Sequence, residues 1–268
     1  MTAAIRSEYR KFFSTRLWWI LLVCMAGYMA LMTLLMVGML HFATDEDSRQ
    51  LAGVIDLGQL AYSMVNALGY VFPVLVGALA ITQEFRHQTV TPTFLVEPRR
   101  GLVMAAKLVA AIPMGFAFAL ASVLTVAICG SGFLAIIGEP TGLGQASTWA
   151  LIGRTLLAMT LWALVGVGVG TLIPNQVVVI VVVLAVSQMV EPMLRMLPIL
   201  TGRSMPVLDF LPSASGDAII GQSFYSLMAG GGSMGSLLPA WAGVLALIAW
   251  GLIPAGIGLF TSLRRDIT

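Results

Sequence analysis

The chain has 268 residues, 59% of them hydrophobic and only 10% charged, with a mean hydropathy of +0.96 and a net charge of +2. Soluble domains carry about a quarter charged residues, so this balance excludes an ordinary globular enzyme and points to a multi-span membrane protein. The small net charge gives no reason to expect a nucleic-acid partner.

The first sixteen residues predict a surface helix. Ile5, Tyr9, Phe12 and Phe13 fall at i, i+4, i+7 and i+8, while Arg6, Arg10, Lys11 and Ser14 occupy the other side. Such a helix lies flat against a membrane with its basic face toward anionic headgroups. Trp18 and Trp19 then mark the interface. A polar start of this length, followed by an apolar run from Leu17 to Leu40, reads as a retained span and not a cleaved signal.

Six spans follow, over residues 17–40, 60–82, 106–130, 150–173, 177–199 and 238–261. Pro73, Pro113 and Pro254 fall inside three of them and predict kinks. Helices are the expected spanning form, because the alternation that a membrane β-barrel requires is missing. Cys24 and Cys129, placed near opposite faces, predict no disulfide. One set of connections holds Arg6, Arg10, Lys11, Arg16, Arg86, Arg99, Arg100, Lys107, Arg264 and Arg265, and the other only Arg49, Arg154, Arg195 and Arg203. This asymmetry predicts that both termini and residues 83–105 are cytoplasmic, in a multi-pass protein of the cell membrane.

Between spans 2 and 3 runs TQEFRHQTVTPTFLVEPRRGLVMAAK, residues 82–107. Thr91 and Pro92 predict the start of a short helix, which Pro98 stops. That helix would display Phe94, Leu95 and Val96, flanked by Glu97, Arg99 and Arg100, as an apolar knob in need of a partner. On the opposite face, Asp45, Glu46 and Asp47 predict a solvated turn. Residues 200–237 predict short outer helices, re-entrant or surface-lying, with Phe210, Phe224, Tyr225 and Leu227 needing cover.

Little here suggests catalysis. Lys11 and Lys107 are the only lysines and neither follows a glycine, so a P-loop is missing. His41 and His87 lie on opposite sides, and no HExxH or CxxC spacing occurs, so no metal is expected. The polar residues of the spans are the remaining candidates. Glu191 and Arg195 are spaced for an ion pair, with Gln188 one turn earlier, and they border either a substrate path or outer gate or simply the outer interface. Asn66 and Asn175 read as structural hydrogen-bonding residues. Gly166 and Gly170 form a GxxxG that permits close helix packing, with a dimer seam as one use.

Glu84, Arg86, Thr89, Phe94-Leu95, Pro98, Arg100 and Lys107 together resemble a cytoplasmic motif of the ABC exporter permease family, type-2 class. Gln88 departs from it, since a glycine commonly precedes the threonine there. The resemblance implies an all-α membrane domain over residues 1–268. It would comprise an elbow helix (1–16), six spans, a coupling helix between spans 2 and 3, and an outer segment (200–237) over the exit. It also implies coupling to an ATPase through Glu84, Arg86, Thr89, Phe94, Leu95, Glu97, Arg99 and Arg100. ATP and Mg would sit on that separate nucleotide-binding subunit, with no cofactor on this chain. A second permease copy or paralogue would complete the pathway for a lipid, drug or hydrophobic peptide. A secondary transporter or a membrane scaffold without ATP coupling is the alternative, although the span centres hold few of the charges that ion coupling needs.

Overall fold

The computed structural model describes residues 1–42, 56–201, 203, 205–224 and 237–261. Asp45, Glu46, Asp47, Arg49, Tyr225, Leu227, Arg264 and Arg265 lie outside the described residues. Helix α1 (Thr2–Ser14) precedes α2 (Leu17–His41). The second crossing is divided into α3 (Leu57–Gly69) and α4 (Val71–Arg86), and α5 (Val90–Val96) follows. Helix α6 (Arg100–Thr125) passes through a π segment (Val126–Gly130) into α7 (Ser131–Ile136). After α8 (Ala146–Leu172), helix α9 (Gln176–Ala185) passes through a second π segment (Val186–Val190) into α10 (Glu191–Thr201). A 3-10 turn (Pro206–Phe210), α11 (Pro212–Ile220) and α12 (Ala240–Phe260) complete the order.

Six stretches are long and apolar enough to cross a membrane, and among the described residues no strand occurs. The chain is an all-α, multi-pass membrane protein. The stretches run Leu17–His41, Leu57–Arg86, Arg100–Ile136, Ala146–Leu172, Gln176–Pro198 and Ala240–Phe260. The helix of the third begins at Arg100, six residues before the expected 106, and Lys107 within it is paired inside the bundle.

Helices α4 and α8 form the centre, and glycine is the reason they meet so closely. A methyl group on Gly166 would strike the Val74 carbonyl oxygen, one on Gly170 the Ala78 carbonyl oxygen, and one on Gly77 the Ala163 carbonyl oxygen. The GxxxG therefore joins two helices of the same chain and is not a free seam for a second copy. The division of the second crossing also has a local cause. Pro73 has no N–H to give the Gly69 carbonyl, and its ring crowds that oxygen. Tyr70 stands at the break, while the chain continues helically through Pro113 and Pro254. Asn175 caps α9 by accepting from the N–H groups of Val177 and Val178, at 3.0 and 3.2 Å. Cys24 and Cys129 are free thiols.

Candidate functional site

Helix α1 lies against the bundle end that carries α5. Ile5, Tyr9 and Phe12 pack on the core, and Phe13 is exposed, edge-on to Phe12 and Trp18. Glu8 falls inside the same apolar stripe and is buried. A buried carboxylate needs partners, and both lysines of the chain supply them. Lys107 Nζ lies 2.7 Å from Glu8 and 2.9 Å from Glu84, and also donates to the Ala80 carbonyl at 3.2 Å. Lys11 Nζ lies 3.0 Å from Glu8, donates to Glu84, and reaches Thr93 Oγ1 at 3.4 Å. Two cations and two carboxylates thus join α1, α4 and α6 in a neutral quartet, which touches α5 through the Lys11–Thr93 contact. Lys107 is 4% exposed and Lys11 38%. Burial pulls the Lys11 pKa down, but the hydrogen bond to Glu84 and the charges of Glu8 and Glu84 outweigh it and hold the ammonium above the ordinary lysine value of 10.5.

Of the residues expected to couple to a partner, Glu84 is sealed inside this quartet. Arg86 points instead to the first residue of α9, its Nη1 donating to Gln176 Oε1 at 3.2 Å. Thr89 closes the loop after α4, its backbone N–H donating to the Glu84 carbonyl at 2.9 Å. Gln88, just before it, has a φ of 54°, the only described non-glycine residue with a positive φ. Helix α5 starts at Val90 with Thr89 as its N-cap, two residues before the expected Thr91 cap, and Pro92 occupies the third helical position. Phe94 is half-buried against Ile81, Met104 and their neighbours, with the Arg100 guanidinium 5.2 Å from its ring centre. The apolar knob therefore narrows: Leu95 is 80% exposed, whereas Phe94 belongs to the fold. The Arg99 N–H donates to Glu97 Oε1 at 3.3 Å, closing the turn into α6.

At the other end of the bundle a second polar network surrounds α11. Glu191 is buried, accepting from Tyr70 Oη at 2.7 Å and from the backbone N–H of Ser213, in the first turn of α11, at 2.9 Å. Its carboxyl thus meets the donor end of that helix. Arg195 pairs with Asp217 at 2.7 Å and donates to Ser223 Oγ at 3.0 Å. Asp217 also accepts from Asn66 Nδ2 at 3.0 Å, and Asn66 Oδ1 accepts from Trp162 Nε1 at 3.2 Å. Tyr70 stacks on Trp162 with ring centres 4.3 Å apart. Residues spaced i, i+4 on α10 therefore reach two points of α11. Gln188 is exposed, in the second π segment, and reaches this network only at its edge, donating at 3.4 Å to the Oγ of Ser187, whose carbonyl lies 3.0 Å from Tyr70 Oη. Asp209 lies outside the spans; burial pushes its carboxyl up, and the Arg195 charge opposes this only in part.

Among the described residues, no group of three or more His, Cys, Asp or Glu could hold a metal ion. The sequence reading missed Glu8, Lys11 as an inward-facing residue, and Asp217. Glu8 carried a signal, being a charge at a stripe position between Ile5 and Phe12. Asp217 carried little, because its partners are remote in sequence. No protein-family model matches the chain, and no curated protein matches its sequence.

Proposed function

We propose that this chain is the membrane-spanning subunit of an ATP-driven exporter resembling the type-2 ABC permeases, working with a separate ATPase subunit and a second permease chain. The observation that carries the reading is Leu95: a leucine held outside the bundle, in a basic connection, on a helix whose base is fixed by the Glu8–Lys11–Glu84–Lys107 quartet. An exposed leucine on a rigid mount suits insertion into a groove of a partner. The mount would pass a push on α5 directly to α1, α4 and α6. ATP and Mg would be held by the partner, since this sequence has no P-loop lysine.

In this reading the basic end faces the cytoplasm of a cell and the α11 end faces outward. The Glu191–Tyr70 and Arg195–Asp217 contacts would then close the outer exit, and the cargo is a lipid, drug or hydrophobic peptide. Changing Leu95 to Asp tests the docking step, because this side chain makes no contribution to the core. The variant should insert and keep its thermal stability, yet lose co-purification with a co-expressed partner ATPase subunit. Undiminished co-purification would remove the docking assignment.

A further inference from the structure

A cleft of about 210 Å³ opens beside the ion quartet, between α1, the start of α2, α4 and α6. On α4 its wall is formed by Val76, Leu79, Ala80, Gln83 and Glu84, at i, i+3, i+4, i+7 and i+8, a single helical face, with His87 just past the helix end. That face runs from charged at Glu84 to wholly apolar about 12 Å deeper at Val76, at 1.5 Å per residue. Helix α6 repeats the order with Lys107, Ala110 and Met114. The third wall, from α1 and the start of α2, sets Phe12, Leu17, Trp18 and Leu21 around the polar Ser14 and Thr15.

We propose that this cleft binds one acyl chain of a phospholipid from the adjoining leaflet, with the headgroup phosphate beside Lys11. Water does not suit the inner end: a buried water needs two to four polar partners, and Val76, Leu79, Ala110 and Met114 provide no polar side chain. An empty apolar hollow beside a bilayer forfeits packing that a hydrocarbon chain restores. The mouth explains the headgroup. Lys107 is sealed between its carboxylates, whereas Lys11 is the open cation of the quartet, and its contact to Thr93 at 3.4 Å is its longest. Exchanging that contact for a phosphate oxygen leaves both carboxylates paired, and lysine is an established point-charge partner of phosphate. Trp18 beside the mouth fits the interfacial depth at which a glycerol backbone sits. This site goes beyond the transporter reading and stands without it, since it needs only a membrane-spanning chain.

The test is photocrosslinking of the full chain, reconstituted in phosphatidylethanolamine–phosphatidylglycerol nanodiscs containing a phosphatidylglycerol with a diazirine in its acyl chain. Adducts are located by mass spectrometry before and after a brief detergent wash preceding illumination. Adducts on Leu79, Met114 and Trp18 should survive the wash, while those on Val181 and Met189, exposed on the bundle surface, should fall. Ala80→Phe, which fills the cleft, should lower the cleft adducts at least about tenfold, the equivalent of one decade in affinity, and leave the Val181 adducts unchanged before washing. Equal loss at both places on washing, or undiminished cleft adducts in Ala80→Phe, would overturn the proposal. Should Ala80→Phe fail to fold, competition on the unaltered chain decides. An alkyl maltoside of equal chain length should displace the probe far less well than unlabelled phosphatidylglycerol. Equal displacement by the two would overturn the role of the phosphate.

Discussion

Lys107 stands between Glu8 and Glu84 with almost no access to water, so removing it leaves two buried carboxylates sharing Lys11 alone. Breaking a buried pair by deleting one partner typically costs about 3–5 kcal/mol. Lys107→Ala should therefore destabilise the detergent-solubilised protein by that order in a thermal or denaturant titration. Adding Glu8→Gln should recover part of the loss, and strict additivity of the two changes would contradict a shared quartet. Tyr70→Phe removes the hydroxyl that donates to Glu191 at 2.7 Å and lies 3.0 Å from the Ser187 carbonyl, and should cost about 1–3 kcal/mol by leaving a buried acceptor unsatisfied. Lys11 gives a pH expectation. Its folded pKa lies above 10.5, so the attachment it stabilises is complete below the ordinary lysine value and is lost only as pH climbs through the folded value. Hydrogen exchange of α1 amides, corrected for the intrinsic rate, should stay protected from neutrality up to about pH 10 and loosen only beyond. Early loosening near pH 8 would mean that Lys11 is not the anchor.

At the level of elements, the spans were legible because each is one long apolar run, and a run of that length has few alternatives in lipid. Their interruptions were only partly so. Pro73 announced a disturbance in the second crossing, but the two π segments carry no residue that marks them in the sequence. The start of α5 was misplaced because Thr91-Pro92 has the form of a helix opening. The chain had already turned at Gln88, whose left-handed backbone no glycine signalled. That conformation costs an L-residue roughly 1–2 kcal/mol, which glycine avoids at some expense in unfolded-state entropy. Gln88→Gly should thus be neutral to stabilising by up to about 1 kcal/mol in a melting experiment, and a marked loss would show that the side chain has a use of its own. Gly166 sets the opposite expectation. Its absent Cβ is the contact surface of α4, so Gly166→Leu should fail to fold or melt far lower, whereas Gly144→Ala, with open space around it, should melt unchanged.

For the whole molecule, the sequence carried composition, order and charge asymmetry well, and pairing poorly. Glu8 and Lys107 are 99 residues apart, and Asn66 and Asp217 are 151 apart. Nothing local ties such residues to one another until the bundle closes. The proposed sidedness is open to direct measurement. In a background with Cys24 and Cys129 replaced by serine, Gly144→Cys should react with an impermeant maleimide on intact cells. Ser14→Cys should react only after the membrane is opened, and the reverse pattern would invert the proposed topology. The quartet also has a practical consequence at this scale. Both lysines of the chain sit at one junction, one half-open and one sealed, so side-chain amine chemistry has a single address in the folded protein. Acylation needs the neutral amine, so the ion-paired Lys11 should react slowly at neutral pH and Lys107 only when α1 lifts away, which makes the ratio of the two adducts a clock for motion of α1.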